Sequence, residues 1–224
     1  MARRLALVGG VLGLSFAVTA SAVAQQSWKA AGGGVQIGPV AGVNIFTLSG
    51  SDAQSAKSRT AFYGGVALNL PLGSIFFVQP EALYAQKGAK WTDPSGTLTA
   101  KLAYVEVPIL LGLNFGTAGS TRPRVYAGPT VGVNLSCDYE TSAGSVSCGT
   151  ISTALPTTIK TLDLGVTGGG GLSIPFGRAT FTLDARYTLG LTTSLTTSTP
   201  DGTLSGKNQG FAVGAGIMIR FGGK

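Results

Sequence analysis

The sequence predicts an all-β fold, an eight-stranded antiparallel up-and-down transmembrane β-barrel, and three observations carry that prediction. Apolar residues alternate with polar or small ones in eight successive segments, the period of two of a strand with differently solvated faces. Connections alternate in length, with tight turns after the second, fourth and sixth segments and longer polar loops after the others. The apolar parity recurs on every segment while charge gathers on the opposite one, as expected when lipid lies outside and a narrow polar interior lies inside. The final segment, 210–221, is the simplest case. Phe211, Val213, Ala215, Ile217, Ile219 and Phe221 face one way, and Ala212, Gly214, Gly216, Met218 and Arg220 the other. Taken alone this segment also suits the edge of a soluble sandwich, and the other seven decide between the two.

Ahead of the barrel, Arg3 and Arg4 precede an apolar run over residues 5–20 and a small-residue pattern, Ala22-Val23-Ala24. This has the form of a signal peptide over 1–24. A short lead-in, 25–34, contains Trp28, and the barrel domain is expected over 35–224. A retained transmembrane helix is disfavoured, because no second apolar 20-mer follows.

The strands are expected at 35–48, 59–70, 74–86, 97–115, 122–136, 157–174, 178–191 and 210–221. In the first, Val35, Ile37, Val43 and Ile45 share a parity, and in the second Phe62, Val66, Leu68 and Leu70 oppose Tyr63, Gly65, Ala67 and Asn69. The third sets Gln79 and Glu81 against Val78, Pro80, Ala82 and Tyr84, and residues 87–96 are read as a wet, lysine-bearing loop. The fourth has an unbroken apolar parity from Val105 to Leu113, opposite Tyr104, Glu106, Gly112 and Asn114. Its length exceeds the roughly 3–10 residues of a globular strand and suits a tilted strand that crosses lipid and continues beyond it. The fifth opposes Val125, Ala127, Val131, Val133 and Leu135 to Arg124, Tyr126, Thr130 and Asn134. In the sixth, Leu162, Leu164 and Val166 face away from Asp163 and Thr167, and in the seventh Phe181, Leu183, Ala185, Tyr187 and Leu189 face away from Thr182, Asp184, Arg186 and Thr188.

With 35 glycines in 224 residues and no Gly-X-Y period, the composition is poor for helices and fits strands that bend and crowd. Gly168 to Gly171 form a run that could be taken for a phosphate loop, but no Gly-Lys-Ser/Thr or following helix supports that, and close packing in the wall is preferred. The formal charge of +7, two units of it in the leader arginines, forms no basic run, so no nucleic-acid partner is expected. The charge is compatible with anionic lipid surfaces.

If the apolar parity faces lipid, the lumen receives Glu81, Glu106, Asp163 and Asp184 as acids and Arg124, Arg186 and Arg220 as bases. Charges in a narrow interior need partners, so an ion-pair network is expected, with Tyr63, Tyr104 and Tyr126 able to extend it. Arg220 is expected near the periplasmic end. A Glu81/Glu106 carboxylate pair for acid/base chemistry is the sharper alternative; structural pairing is preferred. The chain has no histidine, which removes the commonest base beside a serine nucleophile and the commonest nitrogen ligand for a metal. No catalysis and no cofactor are therefore expected. Asp138 and Glu140 leave only a speculative hard-cation site. Cys137 and Cys148 lie close together in one loop of an exported chain and make a plausible disulfide, worth about 3 kcal/mol in the loop-entropy model. Trp28, Trp91 and several tyrosines are assigned to an interface belt or to packing.

Two stretches resemble the PorT-like outer-membrane beta-barrel domain family, often labelled "porin family protein". One is Leu102-Ala-Tyr-Val-Glu-Val-Pro-Ile-Leu-Leu-Gly-Leu and the other Arg122-Pro-Arg-Val-Tyr-Ala-Gly-Pro-Thr-Val-Gly. Leu183-Asp-Ala-Arg-Tyr-Thr-Leu-Gly-Leu and the Lys207-Asn208 start of the last strand look like the same family's closing pattern. The resemblance implies a barrel similar to the small OmpA and OmpX types, in the bacterial outer membrane with periplasmic termini, and carries no catalytic set. The role it leaves open is structural or surface-interactive, with the cysteine-bearing loop as contact surface. The expected partners are outer-membrane lipids, the outer-membrane insertion machinery and an unidentified surface or envelope protein. A narrow channel for small solutes is the second reading. A soluble ligand-binding barrel is a third, disfavoured because Val105, Val107 and Ile109 occupy the parity that water would have to wet.

Overall fold

A computed structural model describes residues 34–50, 56–94, 96–117, 119–142, 144–148, 157–199 and 202–222. The expected signal peptide and nearly all of the lead-in, Trp28 included, lie outside the described residues. The described residues form eleven strands: β1 (Val35–Ser49), β2 (Lys57–Leu72), β3 (Phe76–Asp93), β4 (Gly96–Asn114), β5 (Arg122–Thr141), β6 (Gly144–Ser147), β7 (Thr157–Ile159), β8 (Leu162–Phe176), β9 (Ala179–Gly190), β10 (Leu195–Thr199) and β11 (Gly202–Phe221). Eight of them make the ring, in the order β1-β2-β3-β4-β5-β8-β9-β11, each antiparallel to its neighbour. The ring closes where β1 pairs with β11, from Val35↔Phe221 at one end to Ser49↔Lys207 at the other. Closure leaves no sheet edge in the wall, the condition a strand structure must meet to sit in hydrocarbon.

The parity of the sequence is the parity of the wall. Val43 and Ile45 on β1, Phe62 and Val66 on β2, and Val105 to Leu111 on β4 turn their odd or even set outward. Val131 and Val133 on β5, Leu162 and Val166 on β8, Leu183 and Leu189 on β9, and Val213 and Ile217 on β11 do the same. Aromatic side chains bound this apolar surface. Phe76, Phe115, Phe176 and Phe221 are exposed near one end. Phe62 and Tyr84 form a ring pair at 5.9 Å, and Tyr187 and Phe211 another at 4.7 Å, farther along the strands. Phe211 and Phe221 lie ten positions apart on β11. At ~3.3 Å per residue and a tilt of ~40° that is a band about 25 Å tall, the height expected of an outer-membrane barrel's apolar belt.

One end of the barrel holds Gly34, Gly222 and the short connections. The β2–β3 turn contains Gly73 at φ +81° and the β8–β9 turn Gly177 at φ +61°. Both angles lie in the left-handed region, which glycine enters without steric cost. At the other end the strands outrun their expected limits. β3 continues to Asp93 and β4 starts opposite it at Gly96, so the stretch read as a wet loop is mostly ladder, paired from Lys87↔Leu102 to Asp93↔Gly96. β5 reaches Thr141 and turns back into β6, and β11 begins at Gly202, paired with β10. The segment expected as one strand, 157–174, is two. β7 leaves the wall to pair with β10, and β8 alone enters the barrel.

The run Gly168 to Gly171 lies in β8 between β5 and β9, opposite Arg124 to Ala127 and Asp184 to Tyr187. A methyl added at Gly171 would come within 2.8 Å of Asp184 Oδ1, at Gly112 within 2.2 Å of the Phe77 ring, and at Gly214 within 2.0 Å of the Tyr63 hydroxyl. These glycines make room for the large groups that fill the lumen.

A charge placed at the middle of the belt should be costly and one above it cheap. Ile109→Arg is expected to destabilise the barrel by about 2–4 kcal/mol in reversible unfolding from lipid vesicles, and Val146→Arg on β6 by no more than about 1 kcal/mol. Equal losses at the two positions would contradict the placement of the belt.

Candidate functional site: the filled lumen

The inward parity carries the chemistry of this chain, in two polar clusters separated by a layer of threonines. The cluster nearer the short turns is centred on Glu81 of β3. Arg186 of β9 reaches across the lumen and places Nη1 2.7 Å from Glu81 Oε2. Gln79 Nε2 donates to Glu81 Oε1 at 2.7 Å. Gln79 Oε1 in turn accepts from Asn69 Nδ2 and from Arg124 Nη2, each at 3.0 Å. Arg124 Nε lies 3.2 Å from Asp184 Oδ1, the second ion pair. Both guanidinium groups also lie against aromatic rings, Arg124 with Phe77 and Tyr126 and Arg186 with Tyr63 and Tyr126. A guanidinium is weakly hydrated and planar, so it tolerates this combination of carboxylate in its plane and ring on its face.

The second cluster is built around a lysine of the stretch expected as a loop, which here lies in β3. Lys87 of β3 is only 2 % exposed. Its ammonium pairs with Glu106 of β4 and lies 3.6 Å from Asp163 Oδ2 of β8. Asp163 also accepts from Ser194 Oγ at 3.2 Å and from Asn208 Nδ2 at 2.9 Å. Asn208 Nδ2 reaches the Tyr104 hydroxyl at 3.1 Å as well. The Phe46 and Tyr104 rings flank the Lys87 ammonium, and Arg59 Nη1 of β2 donates to the Lys87 carbonyl at 2.6 Å. Glu81 and Glu106 thus hold different cations in different clusters.

Two signals in the sequence point to Lys87. Gln79, Glu81, Leu83, Ala85 and Lys87 keep one parity, so extending the third strand places the lysine indoors. Charge balance asks for it too. Arg220 stands apart from both clusters, in the mouth at the short-turn end. Of the arginines expected indoors, Arg124 and Arg186 then remain for four acids, and Lys87 sits between the two that they do not hold. The interior is also less polar than expected. Phe46, Leu48, Phe77, Leu83, Leu102, Leu110 and Met218 are buried in it.

Between the clusters, Thr130, Thr167 and Thr188 are joined hydroxyl to hydroxyl at 2.7 and 2.8 Å. The space at that level, bounded among others by Tyr63, Glu106 and Arg186, is about 20 Å³, and the space beside Lys87 and Asp163 is close to nil. About 10–15 Å³ accepts one water. The space among the threonines therefore holds about one water.

At the long-loop end Cys137 and Cys148 form the expected disulfide. It closes the β5–β6 hairpin and packs inward on Leu102 and Tyr104, while Ser145, Val146 and Ser147 are exposed. Trp91 packs with Leu48 and Ala89 in the same mouth. Glu140 pairs with Lys101, whose hydrogen bond holds its carboxyl below the usual range. Among the described residues no group of three or more acids or cysteines converges as for a metal.

Removing one member of a buried pair leaves its partner charged and unmatched, at about 3–5 kcal/mol. Arg186→Ala and Lys87→Met should each lower stability in detergent by that order. Adding Glu106→Gln to Lys87→Met should recover part of the loss, because it removes one orphaned charge. A double variant no better than Lys87→Met in chemical unfolding would contradict the pairing.

Comparison with known proteins agrees with this geometry. Residues 23–196 match the family described as "Outer membrane protein beta-barrel domain". No curated protein matches the chain. Among solved structures, the outer membrane protein OprG from Pseudomonas aeruginosa superposes with a TM-score of 0.55 at 13 % identity, over 86 % of this chain and 98 % of that one. The Neisserial surface protein A gives 0.49 at 11 % identity, over 84 % and 97 %. At such identities the OprG likeness is one of fold, and the family match covers more than half of the chain. With a closed eight-strand ring, a lipid-facing parity and that match, the chain belongs to the outer membrane protein beta-barrel domain family.

Proposed function

We propose that this protein is a closed, non-catalytic barrel of the bacterial outer membrane whose role is structural or surface-interactive. The single observation that carries this reading is the filled lumen: two ion-paired clusters and a threonine layer leave about 20 Å³ at the centre. An eight-stranded ring has an interior that side chains can fill, and here they close it most tightly between the threonines and Lys87. Solute passage and chemistry both need free space beside polar groups, so the work of the molecule falls to its ends.

The termini and short turns are assigned to the periplasm, and the loops to the outside, on the general habit of such barrels. The outward contact surface in this reading is the β5–β6 hairpin. The disulfide there ties the exposed strand β6, with Ser145 to Ser147, to β5, and a stiffened surface loses less entropy when a partner binds. That partner is a surface or envelope protein; outer-membrane lipids contact the belt, and the insertion machinery handles the chain on its way in. The PorT-like subdivision is part of the same reading, supported by the segments from Leu102 and Arg122.

A narrow channel is the competing function, and reconstitution into planar bilayers separates the two. Protein shown to be folded by heat-modifiable gel mobility is expected to give no discrete conductance steps at ±100 mV. Reproducible steps would overturn the closed-barrel reading in favour of the channel.

A further inference from the structure

The mouth at the short-turn end differs from the rest of the interior in both space and charge. Its cavity is about 330 Å³, and Arg122 from the start of β5 and Arg220 from the end of β11 line it. Among the described residues that line it, not one is an acid. The nearest acids by sequence and register are already engaged: Asp184 with Arg124 and Glu81 with Arg186. Arg220 Nε is buried and has no hydrogen-bond partner among the described residues. An unmatched buried donor on a cation is costly unless something accepts from it. The remaining polar lining is of the kind that completes an acceptor's shell, the side-chain amides of Gln36 and Asn114 and the hydroxyls of Ser173 and Thr180.

We propose that this mouth is a binding site for a phosphate-bearing oxyanion, held between the Arg122 and Arg220 guanidinium groups. The guanidinium fork matches two oxygens of a phosphate at once, with the amides and hydroxyls left for the others. The cavity leaves room for an organic group on the phosphate. The Glu81 cluster and the threonine layer beyond it make the site a blind one, so the anion binds and returns by the same mouth. Phe76, a member of the aromatic girdle, also lines the cavity. The phosphate can therefore come from solution or from the headgroup of an anionic phospholipid in the adjoining leaflet. The inference is independent of the surface role assigned to the opposite end.

The test is a titration of isotope-labelled protein in zwitterionic micelles with inorganic phosphate at constant ionic strength. The side-chain Nε–H signals of Arg122 and Arg220 are followed by nuclear magnetic resonance. Saturable shifts at both are expected, weakened at least tenfold in Arg220→Gln and in Arg122→Gln and unchanged in Lys207→Gln at the far end of β11. A second arm repeats the titration in nanodiscs of phosphatidylcholine with and without phosphatidylglycerol. Competition by phosphatidylglycerol identifies the headgroup as the source, and its absence identifies the soluble anion. Gel mobility verifies that each variant folds; if one fails to fold, the other and the saturation of the unmodified protein decide. Shifts that rise linearly without saturating, or that are the same in the folded arginine variants, would overturn the proposal.

Discussion

In hydrocarbon an unpaired peptide group costs several kcal/mol, so the antiparallel seam between β1 and β11 is the contact on which the rest of the structure depends. With the seam made, eight strands enclose a lumen of one fixed width, and every second side chain must enter it. Most of what is unusual in the sequence is an answer to that crowding. Glycine stands where a methyl would strike Tyr63, Phe77 or Asp184, and each deep carboxylate has a cation within reach. Buried ion pairs seldom add much net stability, because desolvation offsets attraction. Their effect here is specific rather than large: a strand that slipped by one residue would turn its charge toward lipid and its valines inward.

The wall was far more legible in the sequence than its contents. Period-two patterning is local and strong, and in β4 or β9 it assigns almost every side chain to a face. Strand ends were less legible because polarity marked them: Lys87 to Lys90 has a loop's composition, yet the ladder continues through it. Polar residues at the top of a barrel wall meet water on the outside, or partners on the inside, so composition there no longer separates strand from loop. Pairing across the lumen was beyond the sequence altogether. Glu81 meets Arg186, 105 positions away, and nothing local distinguishes that match from Glu81 with Arg124. The division of 157–174 into β7 and β8 was hidden for the same reason, since β7 is defined by its pairing with β10.

The two ends of the molecule follow different electrostatic rules. At the long-loop end cations have acids beside them, Lys101 with Glu140 and Lys87 with Glu106 and Asp163. At the short-turn end Arg122 and Arg220 share a cavity with no acid among its described lining residues. The Glu81 cluster and the threonines lie between the two regimes. A filled middle with different ends suits a protein that holds position in a membrane and offers separate surfaces to the two sides.

Access to the threonine layer tests the filled lumen most directly. A cysteine introduced as Thr167→Cys would be the free thiol in the described barrel, since Cys137 and Cys148 are bonded to each other. Its reaction with a small charged methanethiosulfonate can be timed in the folded protein and in denaturant. A closed lumen predicts modification slowed by several orders of magnitude in the folded state. Modification at the rate of an exposed thiol would show that water and solutes pass between the two clusters, and would contradict it.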